Sequence, residues 1–480
     1  MTERRLRAQW LATSCSAGLM VAIVPAVAGA QSLEELEQRL RQQEAQIQRQ
    51  EAEMESLRKS VEEMRAAQAG DLAESGAVEG RDSVVVDWGS GPIPTFEFYG
   101  KDDAEDPVFT FKPRGRAQID VDYANPEEGD AGETFSTECR RCRLGFEGTV
   151  FTDWGYTLEV NFSDDEVSVE DALIDYTGFN FADVTVGQFK TPNSLDEQTS
   201  SRFITFAERA AFTNAYELDR RIGVGLDGDY LGTGTWALGF FGQNIDVTSN
   251  GNEGFAGAGR ATYAFDLGEP ATEIQEKVAH MGASFRYRDF DNDADGGEVQ
   301  YQDRPFIHGT DDRFVNTGDI PANHDVFVGP ELALVWNRWS VQSEGGWTFV
   351  DTATPGVDDG TLFGGYIDAS YFLTPNSRRY RNGKFDRPRF QPGQAVTEGG
   401  IGAWQLAFRL DYINLTDDDA GIRGGEQISW IPAINWWPNP YIRFWADYAY
   451  NRVNGGPADL NGPDGNNTIN AFVFRTQVDF

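Results

Sequence analysis

From about Phe96 to the end of the chain, apolar and polar residues alternate with a period of two. Ala117, Ile119, Val121 and Tyr123 alternate with Gln118, Asp120 and Asp122. Met281, Ala283, Phe285 and Tyr287 alternate with Gly282, Ser284, Arg286 and Arg288. The same holds for Trp404, Leu406, Phe408, Leu410 and Tyr412, and for Ile442, Phe444, Ala446, Tyr448 and Tyr450. Successive side chains of a strand point to opposite faces, so each set predicts a strand of roughly ten residues with one apolar and one polar face. Clusters of Gly, Asp, Asn and Pro separate the sets. Two packed sheets or one closed barrel can both carry this pattern.

Three features favour an all-β, transmembrane antiparallel β-barrel over residues 96–480, apolar outward and polar inward. Trp336, Trp339, Trp430, Trp436, Trp437 and Tyr441 cluster near segment ends, as interfacial girdles do. Short turns such as Thr152-Asp153-Trp154-Gly155 alternate with long polar loops such as 289–324. The chain also ends on an alternating strand that closes with Phe480.

The first 95 residues read differently. Arg4, Arg5 and Arg7, the short apolar run Leu19 to Ala28 and the small residues Ala28-Gly29-Ala30 predict a secretory signal peptide over 1–30. Leu33, Leu36, Leu40, Gln43, Ile47, Gln50, Met54, Leu57, Val61 and Met64 recur at alternating spacings of three and four. That is a coiled-coil seam, so residues 31–69 predict a self-associating N-terminal helix. Residues 70–95, rich in Gly, Ser, Asp and Pro, predict a linker. No run after Ala30 is long and apolar enough for a transmembrane helix. The mean hydropathy of −0.48 averages over both faces of each strand and hides a barrel's membrane signal.

The formal net charge of −37 argues against a nucleic-acid partner. Basic residues are mostly Arg, with only six Lys. Arg114, Arg116, Arg260, Arg286, Arg288, Arg409 and Arg443 have inward parity. A file of arginines in a lumen would guide an oxyanion through charge-assisted hydrogen bonds. The competing reading pairs them with lumen acids such as Asp120, Asp411 and Asp447. Cys139-Arg140-Arg141-Cys142 has no βαβ context for a redox dithiol. As an extended strand it would hold the two Cα atoms about 10 Å apart, too far to bridge. A disulfide there needs a tight turn at the strand's start, and free thiols are the other reading. His280, His308 and His324 have no paired metal-ligand spacing. No nucleophile motif or phosphate-cradling loop is present, so neither enzyme activity nor a cofactor or metal is expected.

Several pieces resemble the phosphate-selective porin O and P family: Val186-Gly187-Gln188-Phe189-Lys190, Ser194-Leu195, Thr199-Ser200-Ser201-Arg202, Glu208-Arg209, Tyr176-Thr177-Gly178-Phe179-Asn180, Gly402-Ala403-Trp404-Gln405-Leu406 and Asn435-Trp436-Trp437-Pro438-Asn439. The resemblance implies about sixteen strands, a homotrimer, and a third loop, Thr191 to Ala215, folded into the lumen. It implies that Arg140 and Arg141 contact anion in the constriction, with Arg202 a retained basic position and Glu170 or Asp171 an acidic partner. Glu197 stands where the family carries lysine. With the inward arginines, the expected anion-binding set is Arg140, Arg141, Arg202, Arg260 and Arg288. The expected function is passive diffusion of small anions such as phosphate across the outer membrane, with the coil in the periplasm. A general or cation-preferring porin, or a structural tether to the cell wall, is the alternative. The expected partners are small anions, outer-membrane lipid and lipopolysaccharide, and the barrel-assembly machinery through Phe480.

Overall fold

The computed structural model describes residues 83–89, 91–100, 106–163, 167–242, 254–290 and 297–480. The signal peptide and coiled coil expected over 1–69 lie outside the described residues. Every described residue belongs to one compact unit, Asp82–Phe480.

Sixteen antiparallel strands close on themselves. In chain order they are β1 (Phe109–Pro126), β2 (Thr134–Val150), β3 (Trp154–Asn161), β4 (Ser168–Tyr176), β5 (Asp183–Lys190), β6 (Arg220–Tyr230), β7 (Gly234–Phe241) and β8 (Phe255–Asp266). There follow β9 (Lys277–Asp289), β10 (Ile320–Trp336), β11 (Trp339–Thr352), β12 (Gly360–Phe372), β13 (Ala403–Asp417), β14 (Ile422–Asn439), β15 (Ile442–Asn454) and β16 (Asn467–Asp479). Each strand pairs with its sequence neighbours, and β16 returns to β1 from Ile469↔Pro126 to Asp479↔Arg116. The seam is finished by the Gly115 and Phe480 main chains, which exchange N–H···O bonds of 3.1 and 3.0 Å. Closure leaves no unpaired edge in the barrel wall, as a strand-built membrane span requires.

The alternation read from the sequence is the barrel's inside-outside code. Ile119, Leu332, Phe408 and Phe472 face out and are exposed, whereas Gln118, Asp120, Arg409, Asp447 and Arg475 face in and are buried. Trp336 and Trp339 are exposed at one end, in keeping with a girdle. Trp437 is not part of it. Adjacent residues of a strand face opposite ways, so with Trp436 outward Trp437 turns in, 5% exposed, against Phe372 and Ala403.

A hairpin precedes the barrel within and beyond the stretch expected to be a linker. Ser83–Asp87 pairs with Thr95–Tyr99, which pairs in turn with β1 at Phe109, Thr110 and Phe111. Both chain directions place the short connections 151–153, 231–233, 337–338 and 440–441 at the end where Phe480 lies. The other end carries 191–219 and 290–319. One long connection, 373–402, breaks the pattern by sitting at the short-turn end.

Three long connections fold inward. Segment 191–219, between β5 and β6, crosses the lumen, and its Leu195, Phe206, Phe212 and Tyr216 are fully buried. Its short helix Ala211–Ala215 presses Phe212 between Phe327 of β10 and Tyr366 of β12, with ring centroids 6.4 and 6.1 Å away. Wall carboxylates receive its main-chain amides: Glu344 takes Leu195 and Asp196, Asp411 takes Ala211, and Asp447 takes Ala207. Segment 290–319 lends Tyr301, edge-on to Tyr216 at 5.8 Å. Segment 373–402 sends in the hairpin Arg379–Arg381 and Lys384–Asp386, turned by Asn382-Gly383 with φ of 45° and 74°. Asn-Gly is the residue pair such a two-residue turn prefers. Phe385 at its end is buried beside Leu195 and Val335.

Candidate functional site: an arginine-lined cavity beside the lumen loop

Segment 191–219 packs Phe212 on β10 and β12, while its Glu197, Arg202, Glu208 and Arg209 line a cavity of about 1010 Å³. The wall of that cavity comes mainly from β1 to β6, with Asp411 of β13 and Gln427, Ser429 and Ile431 of β14. Its lining reaches from Arg313 and His308, in the loops of one end, to Arg381 and Lys384, in the inward hairpin of the other. Thirteen Arg and Lys against nine Asp and Glu line it, so the lining is basic within a chain of net charge −37.

Arg140 and Arg141 both reach this cavity because β2 bulges. Gln118 pairs with Arg141 and Ile119 with Cys139, which leaves Arg140 as the extra residue. Strict alternation would send Arg140 to the lipid side, at a cost of up to roughly 2–4 kcal/mol near the bilayer midplane. Cys139 and Cys142 are joined by a disulfide across the bulge, with Cα atoms 6.0 Å apart.

The arginine pair is unequal. Arg140 donates from Nε and Nη2 to the two oxygens of Glu208, at 2.9 and 3.0 Å. Arg475 Nη2 donates to the same Glu208 Oε1 at 2.6 Å while clasping Asp120. Burial by itself would raise the Glu208 carboxyl. Arg140, Arg475 and Arg141 outweigh it and hold the group well below the usual carboxylate range. Arg141 donates to Gln118 Oε1 at 3.0 Å and has no carboxylate within ion-pair distance among the described residues.

The other expected residues separate into two groups. Arg202 lines the cavity, loosely paired to Asp479 at 3.8 Å and lying over the Phe203 ring. Arg260 and Arg288 lie outside its lining. Arg260 pairs with Glu331 at 2.8 Å and donates to the Gly383 carbonyl. Arg288 clasps Asp325 at 2.6 and 3.1 Å and reaches Glu217 at 2.8 Å. Glu197 sits between Lys190 and Arg209, each 2.9 Å away, so its negative charge is balanced within the loop. Glu170 pairs with Arg143 and, at 3.0 Å, with Arg220, which also holds Asp171 at 2.8 Å.

Sequence reasoning missed Arg381 and Lys384 at the short-turn end, which line the cavity with no ion-pair partner among the described residues. It also missed Asp303, whose carboxyl burial pushes well above the ordinary range, with Asp411 adding to the effect. The basic run Arg378, Arg379, Arg381, Lys384, Arg387 around Asn382-Gly383 was the available signal for the hairpin. Asp120, Asp122 and Glu138 bring carboxylate oxygens within 4.8 Å of one another. Protein donors engage all three: Arg475 on Asp120, the Gly309 amide on Asp122, and His308 beside Glu138 at 2.9 Å.

The chemistry on offer is a cavity with a basic excess, in which most arginines are paired with carboxylates and a few are not. Charge-assisted donors in such a cavity can replace part of an oxyanion's hydration shell without binding it too tightly to leave.

The sequence profile of phosphate-selective porin O and P matches residues 111–480. An uncharacterised protein of Caulobacter vibrioides is 36% identical over 384 residues, 77% of this chain and 74% of the relative. Porin O of Pseudomonas aeruginosa is 24% identical over 448 residues, 86% of this chain and 96% of that protein. Among solved structures, the outer-membrane protein OmpT of Vibrio cholerae aligns over 79% of this chain and 100% of its own, at 11% identity and a TM-score of 0.49. With a profile match across the whole closed barrel, this outer-membrane chain belongs to the phosphate-selective porin O and P family.

Proposed function

We propose that this porin favours small anions, phosphate and related oxyanions among them, over cations. The carrying observation is the excess of basic side chains lining the cavity, Arg141 among them with no carboxylate partner among the described residues. A fixed positive potential in a low-dielectric passage concentrates anions and excludes cations. The family's name and the relationship to Porin O support the same reading. The competing reading is a cation-preferring pore, and what favours it is the closure of Arg140 on Glu208.

The test is a reversal potential across a potassium chloride gradient, with the barrel in planar bilayers. Anion preference and a chloride current that added phosphate reduces are the expected results. A reversal potential of cation sign would overturn the proposal.

We further propose that residues 1–30 are removed on export and that residues 31–69 join three copies from the periplasm. The heptad seam and the family resemblance support this assembly. Phe480, next to the strand that seals the barrel, is proposed as the feature read by the assembly machinery.

A further inference from the structure

The wall of β2 carries a covalent feature that the transport reading leaves unused. In an extended strand three residue steps span about 10 Å. The disulfide holds the Cys139 and Cys142 Cα atoms 6.0 Å apart. The excess chain must leave the line of the strand, and the register shows where it goes: Arg140 is skipped between the pairs Gln118↔Arg141 and Ile119↔Cys139. Cys142 pairs across the sheet with Ala117 and Cys139 with Ile119, and Ile119 is exposed on the outer face. The cysteines thus stand on the lipid side and both arginines on the lumen side. Arg141 would face inward on simple alternation; Arg140 would not. Other ties at this point are the Asn161 side chain, accepting from the Cys142 amide at 3.1 Å, the Phe162 amide on the Cys142 carbonyl, Gln118 on Arg141, and Glu208 on Arg140.

We propose that the Cys139–Cys142 disulfide is a positioning element for ion selectivity: a clasp on the outer face of the wall that fixes the bulge and so holds the Arg140 guanidinium in the constriction. The inference rests on the reading that Arg140 contributes to anion preference. Without the clasp, the strand can extend by one register step and Arg140 leaves Glu208, whose carboxylate then keeps only Arg475, a cation it shares with Asp120. The passage then holds one positive charge fewer beside Glu208.

Three barrels in planar bilayers test this: wild type, Cys139→Ser with Cys142→Ser, and Arg140→Gln, together with the combination of all three substitutions. The expected result is that the cysteine variant lowers the chloride-to-potassium permeability ratio to the level of Arg140→Gln. In the combination the cysteine substitutions should add nothing further. A disulfide that only stabilises the barrel would not make its effect depend on Arg140. Should the serine variant fail to fold, the wild-type barrel is treated with dithiothreitol after insertion. The reagent is oxidised to its cyclic disulfide while Cys139 and Cys142 become two thiols, and the same drop in ratio is expected. An unchanged ratio after either treatment, with Arg140→Gln still lowering it, overturns the clasp and leaves the anion reading intact. An Arg140→Gln barrel with wild-type selectivity overturns the role of Arg140, and the clasp with it.

Discussion

Within the cavity, the arginines differ in what each is free to do. Arg140 is already chelating a carboxylate, so Glu208 occupies the place that a passing oxyanion would take. Glu208→Gln should therefore release a fork-shaped donor and raise both anion preference and phosphate block of chloride current. It should also cost stability, since Arg140 and Arg475 lose a buried counter-charge, for which roughly 3–5 kcal/mol is the usual scale. Arg475 keeps Asp120, which should hold the loss toward the low end. Reversal potentials and a thermal melt read the two effects separately. Arg141→Gln should act oppositely and most strongly among single arginine substitutions, because Arg141 has no carboxylate to give back. A smaller loss of selectivity than Arg202→Gln would contradict that ranking. Asp303 gives a pH signature. Its carboxyl is raised by burial, so its protonated form predominates well above the ordinary aspartate range. As pH rises through that raised value, a negative charge appears in the passage and anion preference should fall. The stability contributed by keeping Asp303 neutral is present below the unfolded aspartate value and is lost over the same rise. Asp303→Asn should flatten the pH dependence of the reversal potential, and an unaltered curve would rule out this origin.

At the scale of elements, segment 191–219 is held by packing as much as by hydrogen bonds. Phe212 is fully buried between Phe327 and Tyr366, so Phe212→Ala should destabilise the loop by roughly 3–5 kcal/mol. The barrel itself should survive on its strand ladders. Single-channel records should then show larger conductance with added flicker, and a steady wild-type conductance would show that the loop does not depend on this contact. The strands and this loop were legible in the sequence for local reasons. Period-two alternation is written into neighbouring residues, as in Trp404 to Tyr412, and a connection as long as 191–215 stands out between strands. The hairpin of 373–402 was not read as lumenal because loop length does not say which way a loop folds. The site was half legible: the Arg140-Arg141 doublet is visible, and the need for a bulge follows from its parity. The partners are not, since Glu208, Arg475 and Asp120 come from three distant parts of the chain. Trp437 was misplaced by counting aromatics without applying to Trp436-Trp437 the alternation used elsewhere.

Across the whole barrel, charge is sorted by location. The basic excess lines the cavity, while Glu127, Glu128, Asp130, Asp358, Asp359, Asp418 and Asp419 stand exposed in the loops of one end. Such exposed charge acts over about 30 Å at 0.01 M salt and about 3 Å at 1 M. Magnesium added on the loop side at low ionic strength should therefore raise chloride conductance by neutralising this rim. The same addition at high salt, or on the short-turn side, should do much less, and equal responses on both sides would refute the asymmetry. The division of the lumen has a consequence of another kind. Segment 191–219 buries Phe212 against β10 and β12 and lines the cavity with Glu197, Arg202, Glu208 and Arg209. One part of the barrel's interior is thus a protein core, bound by the close-packing rules of any core, and another part is a charged cavity that such rules do not reach. Substitutions among the loosely paired lining groups, such as Arg202, Arg381 and Lys384, can change what passes while leaving that core intact. Descendants of this chain could therefore explore new permeants at those positions by single steps, while the aromatic packing on β10 to β12 stays fixed as their common scaffold.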